Sequence, residues 1–331
     1  MRKYTRSLTV LFVSAIAVFA SCNKESDNGS NPPVSDTTTT KLILSNMFAG
    51  TRTMTATQTH EVNAGTQRIL FGNRGTRFVF YPNSFKDKNG NIITTGQIDI
   101  KLVEMYRPGE VIANRSSTVS AGRLLRSAGQ VYVKAYRAGV EVFPTKFGIG
   151  FPLSNTGMGA PMALYYGNNL NSDSIVNWTQ AAANIGTFVN GAFLDTNNSQ
   201  LYYQFDSCTN FNWLNCDYPH DITGTQMVNL SLVSKDTFDL DHTNTRVFLV
   251  FPTINSVTYM QKYTDTAKTW ALSEPFLVPA NMNFHAISIS LKNGLYYYSE
   301  LKNQVTKYGY VDTLRPEQKT LPDVLTALGI L

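Results

Sequence analysis

Three cysteines, four histidines and a few acid-rich turns are the residues of this 331-residue chain whose types and spacing could do chemistry. Cys208 and Cys216 stand eight residues apart, on either side of Trp213. A bridge between them would close a short loop and stabilise the fold by about 2–3 kcal/mol if unstrained. The pair is a candidate disulfide, and two free thiols is the other reading. A catalytic thiol needs an imidazole beside it in space. Only His220 is near in sequence, and no catalytic residue is assigned. "CDYPHD" (216–221) and "DLDH" (239–242) gather carboxylates and imidazoles as a metal site would. The chain has neither His-Glu-x-x-His nor paired Cys-x-x-Cys spacing. Isolated Asp and His in turns usually cap loops, so no metal is expected. "DKNGN" (87–91) starts like a calcium loop, but its twelfth position is Ile98, where a bidentate acid is required. It reads as a turn. Gly-x-Ser-x-Gly, phosphate-cradling and dinucleotide fingerprints are all missing from the sequence, and no cofactor is expected. The paired carboxylates of a glycoside hydrolase are defined by their separation in space. A secreted hydrolase on a β scaffold therefore stays open as one alternative.

The third thiol, Cys22, is the most informative. Arg2, Lys3 and Arg6 precede an uncharged apolar run from Leu8 to Ala20, and the small residues Ala20 and Ser21 lead into Cys22. Basic head, apolar middle and small-residue exit describe a secretory signal peptide over residues 1–21. The run is shorter than the roughly 20 residues that cross a bilayer. Phe19-Ala20-Ser21-Cys22 resembles the bacterial lipobox, with Phe19 where an aliphatic residue is usual. That resemblance implies a diacylated Cys22 as the mature N-terminus. Each buried methylene contributes about 0.8 kcal/mol, and two or more acyl chains hold a protein at the membrane stably. Residues 22–40 are rich in Ser, Asn, Pro and Thr and read as a flexible tether. Within it, Lys24-Glu25-Ser26-Asp27 looks like a surface-export signal of Bacteroidota lipoproteins; a plain solvated linker explains the same charges.

The formal net charge is +5, but the leader carries three of the 28 cations and none of the 23 acids. The remainder is close to neutral and has no basic block, so nucleic acid is not an expected partner.

From residue 41 the punctuation is that of a β protein. "GQIDIKLVEMY" (96–106) sets Ile98, Ile100 and Leu102 on one face, and "GQVYVKAYRAGVEV" (129–142) alternates in the same way. Period two means one face on a core and one in water. The Asn-Gly pairs at 89–90 and 293–294 predict tight turns, the second inside a hairpin over 287–301. "TRVFLVF" (245–251) is nearly continuous, as in the middle of a sandwich. "LPDVLTALGIL" is the best helix candidate, with Pro322 near its start and Gly329 at its stop. Many short strands at turn intervals of about 8–12 residues indicate antiparallel sandwiches. The Gly- and Asn-rich stretch 184–200 marks the junction between two of them.

Two stretches resemble a β-sandwich module of Bacteroidota surface lipoproteins, with a distant likeness to the ZU5 domain. The pattern is carried by Pro82-Asn83-Ser84-Phe85, a Gly-Asn turn, the long strand near 100, "SAG" at 127–129, and Tyr165-Tyr166-Gly167 with Trp178. "FNWLNCD" (211–217) resembles the opening of the second module of those proteins, with Asn212 where a glycine is usual. Some ZU5-like domains cleave themselves at His-x-Ser or His-x-Thr. None of His60, His220, His242 and His285 has Ser or Thr two residues on.

The expected fold is all-β, with two antiparallel β-sandwich domains in tandem (41–195 and 196–315) and a tail over 316–331 holding a short helix. The expected protein is an outer-membrane lipoprotein anchored through Cys22, with a binding or structural role and no catalysis. The membrane is its expected partner through the lipid, with a glycan or an envelope protein as further candidates. A carbohydrate-binding accessory lipoprotein is the alternative. In tyrosine pairs such as Tyr165-Tyr166, Tyr202-Tyr203 and Tyr296-Tyr297-Tyr298, alternation should turn one ring outward. A flat row of such rings would suit sugar, whereas half-buried strands also favour tyrosine.

Overall fold

The computed structural model describes residues 57–153, 161–168, 176–182, 193–195, 200–235, 240–272 and 276–330. Residues 1–56 lie outside it, and with them the leader, Cys22 and the tether.

The described chain is mostly strand, and two antiparallel sandwiches follow one another along it. Alternation and hydrophobic clustering together stack the sheets in four layers. The first layer holds strands Arg68–Phe71, Arg77–Phe80, Phe147–Pro152, Phe193–Asp195 and Gln200–Cys208. The second is a ten-stranded sheet built around the 15-residue strand Arg123–Arg137. The third contains Thr245–Phe251 between Ser256–Tyr259 and Asn283–Lys292, continued by Leu295–Val305 and Glu317–Lys319. The fourth contains Leu230–Ser234, Thr269–Ala271, Lys262–Thr264 and Tyr310–Leu314, the last parallel to Leu230–Ser234.

In Gln97–Met105, Ile98, Ile100 and Leu102 face the first layer, where they meet Phe78, Phe147 and Phe205. Val103 and Met105 point the other way, into a second core shared with Phe248, Ile287 and Tyr298 of the third layer. Thr245–Phe251 divides likewise: Phe248 and Val250 face the second layer, Val247, Leu249 and Phe251 the fourth. Its unbroken apolar run thus follows from burial on both faces.

The turns form where small or amide residues tolerate positive φ. Asn293 and Gly294 (φ 52° and 76°) close the hairpin between Asn283–Lys292 and Leu295–Val305. The run 129–142 is not one strand but two. Ala138 and Gly139 (φ 47° and 79°) fold it into a hairpin between Arg123–Arg137 and Val140–Pro144.

Among the described residues, two short α-helices complete the fold. Helix α1, Pro108–Ala113, carries Pro at its start, and Glu110 accepts from the backbone N–H groups of Tyr106 (2.8 Å) and Arg107 (3.0 Å). At six residues it escaped the sequence reading. Helix α2, Leu321–Ala327, lies where expected, opened by a Thr320/Asp323 capping box and ended by Gly329 at φ 71°. Val324 and Leu328 insert between the second and third layers.

The boundary expected at 195/196 is corrected. Gln200–Cys208 pairs with Phe147–Pro152 in the first layer, and Asn212–Pro219 pairs with Arg123–Arg137 in the second. Both belong to the first sandwich, and the chain changes sandwich after Pro219. The cause is long-range pairing, which leaves no mark on local composition.

Candidate functional site

Cys208 and Cys216 are both free and buried, so the candidate bridge does not form. The chain turns from the first layer to the second at 209–211. Cys208 ends one strand, whereas Cys216 lies four residues into the next. At about 3.3 Å per residue, that offset exceeds the 4.4–6.8 Å Cα separation a disulfide spans. Burial raises both thiol pKa values. Neither thiol should react with a disulfide reagent in the native protein, and both should titrate on unfolding. Mass spectrometry should find no two-unit difference between reduced and unreduced samples.

Residues 216–219 lie in a strand, and Asp221 and Asp241 cap turns. Asp221 accepts from Thr223 N (2.9 Å), and Asp241 from Thr243 N (2.7 Å); Asp239 lies outside the described residues. Asp87 accepts from the N–H groups of Asn89 and Asn91 at 2.8 and 2.9 Å, which makes "DKNGN" a turn. Among the described residues no three His, Cys, Asp or Glu side chains come together to hold a metal.

The motif residues scattered along the sequence meet in the second layer. "SAG" and "NCD" are cross-strand partners: Gly129 lies opposite Cys216 and Ser127 opposite Asp217, with a bulge between. Gly129 has φ 131° and sits against the Tyr106 ring. Asn212 takes φ 75°, a conformation Asn tolerates better than most residues. Gly167 pairs with Trp178, and a Cβ there would lie 2.5 Å from Trp213 Cβ. Trp178 Nε1 donates to Ser117 O at 2.6 Å. These residues form a packing node whose glycines admit large rings.

Asp217 belongs to this node and is fully buried. Asn215 Nδ2 donates to Asp217 Oδ2 at 2.5 Å, while Asp217 Oδ1 has no hydrogen-bond partner among the described residues. Burial raises its pKa well above the usual carboxylate value, only partly offset by Ser127 and Asn215. The folded state therefore holds this proton more tightly than the unfolded one. The associated stability is complete below about pH 4 and is lost as pH rises through the raised folded value. Asp217→Asn should flatten the pH dependence of the urea midpoint over that range while leaving the acid-pH midpoint nearly unchanged.

A second polar cluster lies at the Gly72–Arg77 turn. Glu104 continues the inward face of Ile98, Ile100 and Leu102, yet its carboxylate is fully engaged. Oε1 accepts from Thr76 N (3.0 Å) and Thr76 Oγ1 (2.5 Å). Oε2 accepts from Arg74 N (2.8 Å) and Gln58 Nε2 (2.7 Å). Glu110 pairs with Arg74 beside it. Nothing in the sequence outside the alternation itself, which puts an acid on an apolar face, marks Glu104.

The tyrosine pairs do not make an outward row. Tyr165 faces the core shared with the third layer and Tyr166 packs on the core shared with the first; Tyr202, Tyr203, Tyr297 and Tyr298 are buried. Both faces of the central sheets are covered, so alternation sends both members of Tyr165-Tyr166 and of Tyr297-Tyr298 inward.

One open feature of the second layer is a cleft where its sheet splits. One edge of Arg123–Arg137 is shared in succession: Asn212–Pro219 pairs as far as Val133, and Val140–Pro144 takes over at Ala135. The cleft between them has a volume of about 390 Å³, walled by residues 141–144 on one side and by Tyr166, Gly167 and residues 209–212 on the other. Lys86 also lines it. Phe143 is 39% exposed. Glu141 is held by Lys134 at 3.0 Å.

No protein-family model matches this sequence, and a search of curated proteins finds no match. What the chain itself defines is a class: an all-β protein of stacked antiparallel sheets with a short C-terminal helix.

Proposed function

We propose that this chain is an outer-membrane lipoprotein, anchored through acylated Cys22, with a binding or structural role in the cell envelope and no catalysis of its own. The observation that carries the reading is the ordered sequence of basic head, apolar run, small residues and Cys22. The buried acids support the non-catalytic part. Glu104 and Glu110 hold backbone N–H groups, and Asp217 is enclosed between sheets. None of the three stands in the cleft, where a hydrolase would place an acid of raised pKa. The cleft beside Phe143 favours a binding role over a purely structural one.

Mass spectrometry of the protein from its native host tests the anchor. The expected N-terminal peptide begins at a Cys22 carrying diacylglycerol, and Cys22→Ala abolishes palmitate incorporation. An unmodified Cys22 or an uncut leader overturns the proposal. Proteinase added to intact cells, with the periplasm checked for leakage, then reports which face of the outer membrane carries the protein.

A further inference from the structure

We propose that the cleft at the split of the second layer binds a neutral oligosaccharide. The inference rests on the binding role above and is independent of the anchor. Its volume of about 390 Å³ lies within the range of small-ligand sites, roughly 300–1,000 Å³. One wall presents Phe143, an aromatic ring left 39% exposed on a strand whose neighbours Val142 and Pro144 are buried. Lys86 is its register partner across the sheet, and Glu141 precedes it by two residues on the same face. The facing wall offers Thr209, Asn210 and Asn212, all uncharged and all able to donate and accept.

That combination selects a ligand with an apolar face and a rim of hydroxyls. A pyranose ring lays its C–H face on an aromatic side chain and turns its hydroxyls to amides and carboxylates. The charges point the same way. The lining holds one cation, Lys86, and one carboxylate, Glu141, which Lys134 already neutralises. A phosphate or uronate would need a cluster of cations or a bidentate arginine, and neither lines this cleft. A fatty chain would need an enclosed apolar cavity, whereas this one is open and half polar.

The ligand is longer than one ring. Glu141 and Val142 also line a second cleft of about 350 Å³ on the other side of Val140–Pro144. Its charged lining is balanced, Lys88 and Arg137 against Asp87 and Glu141, and Ile92 there stands 50% exposed. An extended sugar chain crossing that strand would cover Phe143 and Ile92, which share one face through their common register partner Lys86.

The test uses the full chain in a non-glycosidic detergent. The probes are neutral hexasaccharides (malto-, cello-, laminari-, manno- and xylo-), with an oligogalacturonide for contrast, followed by saturation-transfer NMR and titration calorimetry. At least one neutral hexasaccharide should bind saturably at millimolar concentration or below, and the oligogalacturonide should not. Phe143→Ala should weaken binding about tenfold or more, and Glu141→Gln should weaken it measurably. Tyr308→Ala, which removes an exposed ring from the connection between the third and fourth layers, should leave it unchanged. Binding of no neutral probe, binding of the acidic probe alone, or neutral binding indifferent to Phe143→Ala each overturns the inference. All three leave the acyl mass on Cys22 untouched, so the two readings fail separately.

Discussion

Gly129→Ala should leave little folded protein. At φ 131° any side chain strains the backbone, and the new methyl would lie 2.2 and 2.3 Å from Cδ1 and Cε1 of Tyr106. That ring cannot yield easily. Its hydroxyl is 2.6 Å from Thr76 Oγ1, and its backbone N–H is held by Glu110. Strain and overpacking together should cost about 3 kcal/mol or more. Soluble yield and the urea midpoint read the loss. Gly139→Ala is the matched control: φ is 79° at the hairpin tip, but no atom lies within 4 Å of the added methyl. It should cost only about 1 kcal/mol, the backbone share alone. Equal effects at the two sites would refute the close-packing account of the bulge.

Glu104→Ala should cost about 3–5 kcal/mol, because it strips one acceptor group from four buried or half-buried donors at once. Glu104→Gln should recover part of this. Its oxygen can still accept from Thr76, but its amide would face the donors of Arg74 and Gln58. The pair Glu104→Ala and Thr76→Val should be strongly non-additive in a double-mutant cycle, since each removes what the other leaves unsatisfied. Hydrogen exchange should show the loss first in residues 72–76 and in the strand Gln58–Asn63. Uniform acceleration across all four layers would contradict a local role for this carboxylate.

Local signals in the sequence were reliable where a local cause operated. The alternation in Gln97–Met105, the Asn-Gly turn at 293–294 and the Pro322/Gly329 limits of the last helix all appear as expected. Each depends on residues within one turn or one strand. Ala138 was missed as a turn residue because the alternation runs on through it, and only Gly139 beside it hints at the reversal. The helix at Pro108–Ala113 left a signal, Pro at its start and Glu110 reaching back, but its six residues are too few to show a helical period. The strand Gln200–Cys208 looks like any other, and only its pairing with Phe147–Pro152 assigns it to the first sandwich. The tyrosine expectation failed for a similar reason. Period two tells how faces alternate but not whether a sheet has one covered face or two, and here the central layers have two.

The candidate site was less legible still. Its walls come from residues 86, 141–144, 166–167 and 209–212, which no spacing rule connects. They meet because one long strand runs out of one partner and into another. The motif residues, by contrast, were visible from the start, and they build the node that holds the sheets rather than the opening between them.

Helix α2 has a consequence for how such a protein could be made. The Leu328 carbonyl lies so close to Gly109 that a Cβ there would sit 1.8 Å from it, and Val324 plugs the same seam. Gly109 and Leu328, far apart in the sequence, thus close the middle of the stack together. A chain emerging amino end first could assemble its first layer, complete by Cys208, early, but could not shut this seam until residues 321–328 had emerged. Until then the core between the second and third layers would lack Val324 and Leu328.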